Sequence, residues 1–143
     1  PPNVAGWPAY YQIPTFDKTW VTTSTIVQRI QFVDSFLYWG FWSPNEVVRY
    51  DILEFAKTLK NPSDPNDLLQ EIQEIFFGLE VDPQVIAGVK SILLSNQQED
   101  YYWTDAWFNW IGNEDDDAAA SIVALRLTYT FQRLFNLSEF QLK

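Results

Sequence analysis

The sequence contains no cysteine and no histidine. Without cysteine the chain can form no disulfide, no thiolate metal site and no cysteine nucleophile. Without histidine it lacks the usual general base, the usual zinc ligand and the middle member of a Ser-His-Asp triad. Methionine is absent too, and the chain begins with Pro1-Pro2. We therefore expect a fragment of a longer protein, with no cofactor, no metal and no complete catalytic site of its own.

Lysine and arginine are scarce, nine against nineteen aspartates and glutamates, and the net charge is −10. Residues 1–60 carry five acids and five bases, whereas residues 61–143 carry fourteen acids and four bases. Nucleic-acid binding needs clustered lysine and arginine, so this composition excludes it, and it also disfavours an anionic membrane surface. No apolar run approaches the roughly 20 residues that cross a bilayer, so we expect no membrane insertion. The acidic excess is best interpreted as a solvated face.

Apolar residues make up 47% of the 143 residues, which is enough for one packed core. We predict a single all-α domain over residues 1–143, an irregular bundle of about six helices. Residues 1–21 form its exception, because four prolines and several aromatic rings there show neither a helical nor a strand period. We expect this extended, Pro- and aromatic-rich N-terminal segment to pack on the bundle.

The N-terminal segment has two interpretations. It can be a packed lid, or it can form the edge of a ligand cleft whose rings are Trp7, Tyr10, Tyr11 and Trp20. Asn3 is polar among apolar neighbours, and a buried amide needs backbone partners at both of its ends, so Asn3 could pin the segment.

Apolar spacing predicts a first helix over residues 23–39, ended by Gly40. Its buried face follows a four-three-four spacing and consists of Ile26, Ile30, Val33 and Leu37, widened by Val27, Phe36 and Trp39. Aspartate then marks three helix starts, at Asp51, Asp64-Pro65 and Asp82-Pro83, the last two with proline at the first helical position. The predicted helices span about 51–59, 65–79 and 83–95. Val47-Val48, just before the first of them, is β-branched and could run extended.

The last long helix is predicted from about Asp116 to Phe135, with the acids of residues 114–117 at its positive end. Its buried candidates are Ile122, Leu125, Tyr129 and Leu134. The acidic run could attract Ca²⁺, but it lacks the alternating ligand spacing and internal glycine of an EF-hand loop, so a charged cap is the favoured interpretation.

A short aromatic helix precedes it, in which Trp103, Trp107 and Trp110 are spaced four and three residues apart and share one face. These rings are either core or an open patch suited to a sugar ring or a partner protein. The acids that flank them are Glu99, Asp100 and Asp105. Glycosidases hold and cleave sugars with carboxylates beside tryptophans, so one interpretation of these acids is an enzymatic site. The alternative is that Thr104 caps a helix and Asp105 is an acid in its first turn.

The opening PPNVAGWP, the Tyr10-Tyr11-Gln12 that follows and Trp20 resemble the bacterial domain of unknown function 1800 family, in its C-terminal part. Thr22 to Thr25, Arg29 and the closing Glu139-Phe140-Gln141 match further features of that family. NPSDPNDLL and YYWTDAW are most similar to members from Bacteroidetes-like bacteria. Where the family usually has Gly-Gly after Gly-Trp-Pro, this sequence has Ala9-Tyr10.

The resemblance implies an exported protein, periplasmic or at the cell surface, of a family with no firmly assigned activity. We expect a structural or protein-interaction module of a larger protein, whose partner is another protein or its own N-terminal region. One alternative is a carbohydrate-binding surface built from Trp7, Tyr10, Trp103 or Trp107. The other is an enzyme site that the N-terminal region completes.

Overall fold

The structure is a computed structural model that describes residues 23–78 and 80–141. Within these ranges the chain forms seven α-helices, one π-helical turn and one two-stranded antiparallel hairpin. The predicted all-α irregular bundle is confirmed. The predicted packing of residues 1–21 on the bundle lies outside the described residues.

The elements follow one another along the chain with short connections. The first half contains α1 (Thr23–Asp34), the π-helical turn (Ser35–Trp39), β1 (Phe41–Trp42), β2 (Val47–Val48) and α2 (Ile52–Lys57). The second half contains α3 (Pro65–Phe76), α4 (Pro83–Leu93), α5 (Tyr101–Gly112), α6 (Asp117–Phe135) and α7 (Ser138–Gln141).

Aspartate caps begin four of these helices, as the sequence predicts. The side chains of Asp51, Asp64, Asp82 and Asp116 each accept hydrogen bonds from backbone N–H groups of the following turn. Pro65 and Pro83 occupy the first helical position, where a missing N–H costs nothing. Because Asp116 caps α6, the charged-cap interpretation of the acidic run is confirmed there.

Helix α6 is the centre of the bundle and packs against α1, α2, α4, α5 and α7. Its buried side chains are Val123, Leu127, Thr130, Phe131, Leu134 and Phe135. The predicted burial of Ile122, Leu125 and Tyr129 is wrong, because all three are about half exposed. The helix carries two apolar stripes, and its neighbours cover only the one that includes Leu134.

Aromatic rings connect α6 to the helices around it. Phe131 makes edge-to-face contacts with Phe55 of α2 at 5.7 Å and with Phe76 of α3 at 5.8 Å between ring centroids. Phe135 stacks on Phe140 of α7 at 4.6 Å. Each such pair contributes about 0.5–1.5 kcal/mol beyond the burial of its area, so these rings hold the short helices α2 and α7 in place.

Helix α1 departs from the predicted single helix at Ser35, where the chain widens into the π-helical turn. Val33 is the one residue of α1 that is buried, and Ile30, predicted on the buried face, is exposed. The wider turn shifts the side-chain register, so Trp39 leaves the predicted face and is 73% exposed. Gly40 ends the turn as predicted, with φ of +75°.

Candidate functional site

The residues predicted to bind a ligand fall into two groups. Asn3, Trp7, Tyr10 and Trp20, together with Tyr11, lie outside the described residues. Trp103 and Trp107 lie on α5, and their exposed fractions are 0% and 4%. Since neither indole presents an open face, neither can stack on a sugar, and their burial agrees with the core interpretation.

Polar and ring contacts fix the buried indoles. Nε1 of Trp103 donates to the main-chain carbonyl of Pro62 at 2.8 Å, which ties α5 to the loop before α3. Trp107 meets Trp110 edge to face at 5.1 Å. Thr104 does not cap a helix start, because α5 already begins at Tyr101 and the Thr104 hydroxyl donates to the carbonyl of Ser63 at 2.9 Å.

One of the carboxylates beside these rings, Asp100, has a structural role. Asp100 accepts from Nζ of Lys90, at 2.7 Å to Oδ1, and from Nδ2 of Asn66, at 2.9 Å to Oδ2. The hydrogen bond from Lys90 lowers the pKa of Asp100. A glycosidase acid needs a raised pKa so that it holds its proton at neutral pH, so Asp100 has the opposite property.

Among the described residues, no three or more aspartate, glutamate, cysteine or histidine side chains lie close enough together to hold a metal ion. Glu114 of the acidic run instead pairs with Nζ of Lys57 at 2.5 Å. Lys57 also lies over the ring of Trp110, 5.0 Å from its centroid. The run therefore links α2 to the end of α5.

The hairpin after α1 exposes two indoles that sequence reasoning missed as functional candidates. Trp42 on β1 is 88% exposed, and Trp39 just before the hairpin is 73% exposed. Phe41 contacts Phe32 and Phe36 of the preceding helical segment, at 5.4 and 6.2 Å between centroids. Because successive strand residues point to opposite faces, the Trp42 side chain is turned to the face opposite to that of Phe41.

The backbone holds the hairpin in a defined shape. Phe41 pairs with Val48 and Trp42 pairs with Val47, and the N–H of Ser43 donates to the carbonyl of Glu46 at 2.8 Å to close the loop. The sequence carried a usable signal for this hairpin, because Ser-Pro-Asn-Glu separates an aromatic pair from a β-branched pair. The hairpin was not predicted because Trp39, just before it, has the spacing of a residue on the buried face of the first helix.

An apolar groove lies beside the hairpin, between α1 and the end of the chain, with a volume of about 750 Å³. Its apolar lining consists of Val33 and five phenylalanines, namely Phe32, Phe36, Phe76, Phe135 and Phe140. Thr25, Gln28, Arg29 and Gln141 supply polar groups. The volume lies within the range of roughly 300–1,000 Å³ that is usual for binding sites, and the lining is mostly apolar, as such sites are.

Hydrogen bonds fix the two walls of the groove against each other. The guanidinium of Arg29 donates to the main-chain carbonyl of Gln141. The Gln141 side chain, 6% exposed, donates from Nε2 to the carbonyl of Phe135 at 2.6 Å. Gln132 of α6 donates to Asp34 at 2.7 Å and accepts from the Tyr38 hydroxyl at 3.1 Å. The groove is therefore built from well-anchored elements.

The groove lining combines aromatic rings with a few polar groups. Among the residues that the structure describes, Arg29 is the one ionisable side chain that lines the groove. Burial, followed by the charges of Tyr129 and Asp34, raises the pKa of Tyr38, so its hydroxyl stays neutral and keeps donating. Aromatic rings with a few fixed polar groups are the usual lining of small-molecule sites.

Among residues 23–78 and 80–141, no helix is both long enough and apolar enough to cross a membrane. A family model described as "Protein of unknown function (DUF1800)" matches residues 1–142 of the chain. No curated protein and no solved structure matches the chain.

Proposed function

Because the chain belongs to the DUF1800 family of proteins of unknown function, we propose that it is a protein-interaction module of a larger exported protein. Its partner is the polypeptide that precedes it in the same gene product. The binding surface, which we name the hairpin surface, consists of the exposed side chains of Tyr38, Trp39 and Trp42. Export rests on the family resemblance alone.

The exposure of Trp39 and Trp42 carries this proposal. Tryptophan is enriched in interfaces and among the few residues that contribute most of the binding free energy. Of the sixteen large apolar side chains that are exposed in the described part, eight fall between residues 27 and 48. Such a concentration of exposed apolar area is typical of an interaction site.

The charge distribution supports the same location. Residues 23–60 carry four acids and four bases, so the region around the hairpin surface is balanced, whereas the acidic excess lies after residue 60. Interface cores are depleted of charge, and a surface without net charge does not repel a partner of either sign.

The test measures binding between this chain and the preceding polypeptide, each produced separately, by titration calorimetry. We expect binding that the double variant Trp39→Ala/Trp42→Ala weakens by about 30-fold or more, as loss of hot-spot rings worth about 2 kcal/mol does. The matched control is Phe108→Ala/Ile111→Ala, which removes exposed apolar side chains from α5 and leaves the affinity unchanged. Absence of binding, or an equal loss in both variants, contradicts the proposal.

A carbohydrate-binding role is the second candidate, since two exposed indoles on one short segment are also suited to stack on sugar rings. It predicts that soluble oligosaccharides quench tryptophan emission in the wild-type chain and not in Trp39→Ala/Trp42→Ala. It also predicts that the preceding polypeptide leaves that emission unchanged. The two candidates therefore differ in which titrant responds to the same pair of substitutions.

A further inference from the structure

We propose that a polar cleft between α5 and α6 binds a short peptide, with the peptide carboxylate on Arg126 and its ammonium group on Asp105 and Asp116. The cleft has a volume of about 560 Å³. This volume lies within the range of roughly 300–1,000 Å³ that is usual for small-molecule sites. The cleft shares no residue with the hairpin surface, so peptide binding is a second function beside the interaction through that surface.

One face of each helix forms the cleft. The lining runs from Tyr102 to Asn109 on α5 and from Ala119 to Arg126 on α6, and seven residues of helix extend about 10 Å. The guanidinium of Arg126 donates to the main-chain carbonyl of Tyr102 at 2.8 Å, so its positive charge lies at the Tyr102 end. Asp116 caps α6 ten residues before Arg126, about 15 Å along the helix, and therefore lies at the other end.

The guanidinium at the first end has no counter-charge. Arg126 is half-buried, and burial lowers its pKa. Among the described residues it makes one hydrogen bond, to the Tyr102 carbonyl, and no ion pair. A guanidinium carries five N–H donors in a fork that matches a carboxylate. A carboxylate in the cleft therefore pairs with a charge that is held partly out of water without a partner.

Two aspartates give the rest of the cleft the opposite charge. Asp105 makes no hydrogen bond and no ion pair with any described residue. Asp116 uses Oδ1 to accept from the N–H groups of Ala118 at 2.9 Å and Ala119 at 3.2 Å, and no described residue donates to its Oδ2. Because two carboxylates oppose one guanidinium, the cleft disfavours phosphate and other multiply charged anions. Its ligand must carry a cationic group as well as a carboxylate.

The length of the cleft and its apolar walls favour a peptide over a free amino acid. A free amino acid carries both charges on one residue, so it cannot contact both ends of a cleft about 10 Å long. Extended chain rises about 3.3 Å per residue, so three residues span that length. Between the charged ends lie Ala106, Ile122 and the Tyr102 side chain. Ile122 is 49% exposed and can contact an apolar side chain of the peptide.

The experiment titrates the isotopically labelled full chain with the tripeptide alanyl-leucyl-alanine and follows the backbone amides by nuclear magnetic resonance. Two modified peptides test the two contacts, since a C-terminal amide removes the carboxylate and N-acetylation removes the ammonium group. The variant Arg126→Gln removes the guanidinium. The matched control is Arg133→Gln, which removes an exposed arginine of the same helix that lies outside the cleft. Both variants change the net charge equally, so they separate a local contact from the field of the whole chain.

We expect saturable shifts concentrated in residues 102–109 and 116–126, with about tenfold weaker binding for Arg126→Gln and for each modified peptide, because each loses a charge-assisted hydrogen bond. Arg133→Gln keeps the wild-type affinity. Absence of saturable shifts, shifts centred elsewhere, or equal weakening in both variants overturns the proposal. A modified peptide that binds as tightly as the free one overturns it too, since one of the two charge contacts is then missing. If Arg126→Gln loses its helical circular dichroism, the three peptides and the wild-type chain decide by the same criteria.

Discussion

Gly40 sets the geometry of the hairpin surface, and replacing it by alanine is the sharpest test of that geometry. Its φ of +75° and ψ of 179° lie in a backbone region that side chains with a Cβ rarely enter. A Cβ added there lies 2.6 Å from the carbonyl oxygen of Val48 and 2.7 Å from Cγ of Arg49. The carbonyl belongs to the strand that pairs with β1, so it cannot move away without changing the hairpin.

The expected cost has two parts. Forcing a residue with a Cβ into this backbone region costs about 1–3 kcal/mol, and the contact with the Val48 carbonyl adds to it. A hairpin of two residues per strand is only marginally stable by itself, so detachment of the hairpin limits the total. We therefore expect Gly40→Ala to lower the free energy of unfolding by about 1–3 kcal/mol and to displace Trp42 from its place in the hairpin surface.

Gly88 provides the matched comparison. It lies inside α4, and a Cβ added there has no heavy atom within 4 Å. Alanine is favoured over glycine in a helix by about 0.8–1 kcal/mol, so Gly88→Ala is expected to stabilise the protein by about that amount. The same chemical change therefore has opposite signs at the two positions.

The assay is urea unfolding followed by circular dichroism at 222 nm, a signal that the helices dominate. Equal slopes in urea are required, because only then does a shifted midpoint report a change of stability. A Gly40→Ala variant as stable as the wild type, or two variants that shift in the same direction, would refute the backbone geometry assigned to the hairpin.

Three further predictions concern side chains. Trp103→Phe removes the donor to the Pro62 carbonyl and leaves space in the core, so unfolding in urea should become easier by about 2–3 kcal/mol, and an unchanged midpoint contradicts its burial. The folded pKa of Asp100 is lowered, so its contribution is present above its ordinary pKa of 3.8 and is lost as the pH falls through the folded value. Because the Asp100 side chain is 43% exposed, Asp100→Asn should lower the free energy of unfolding by only about 0.5 kcal/mol at pH 7. This difference between variant and wild type should vanish in acid. A difference that stays constant down to pH 2 excludes the ion pair of Asp100 with Lys90. Trp39→Phe/Trp42→Phe should lower the fraction of emission that iodide quenches, and an unchanged fraction means that these indoles are covered.

Local chemistry explains why much of the fold could be predicted from the sequence. A capping aspartate acts on the N–H groups two and three residues ahead, so Asp64-Pro65 and Asp82-Pro83 specify helix starts without help from the rest of the chain. The stop at Gly40 is equally local, since few other residues adopt its φ. Such signals depend on near neighbours in sequence, which are visible before any tertiary contact is known.

Burial could not be predicted in the same way, because it depends on which face of a helix meets a neighbour. Helix α6 has one apolar stripe through Leu127 and another through Leu125, and helical spacing cannot rank them. Contacts with α4 and α5 select the first. For the same reason the candidate site was not predicted. Trp39 has the spacing of a core residue in a regular α-helix, but the π-helical turn places it on the outside.

The acidic residues and the exposed indoles lie in different parts of the chain, and this separation affects how the chain associates with a partner and with itself. An exposed indole pair is an aggregation hazard in a protein whose copies attract one another. Here the net charge of −10 makes copies repel at long range, while the acids that supply it lie after residue 60 and leave the hairpin surface balanced. Association with a partner is therefore opposed less than association of the chain with itself. Because salt screens this repulsion over about 10 Å at 0.1 M, self-association should increase with ionic strength if the hairpin surface is open.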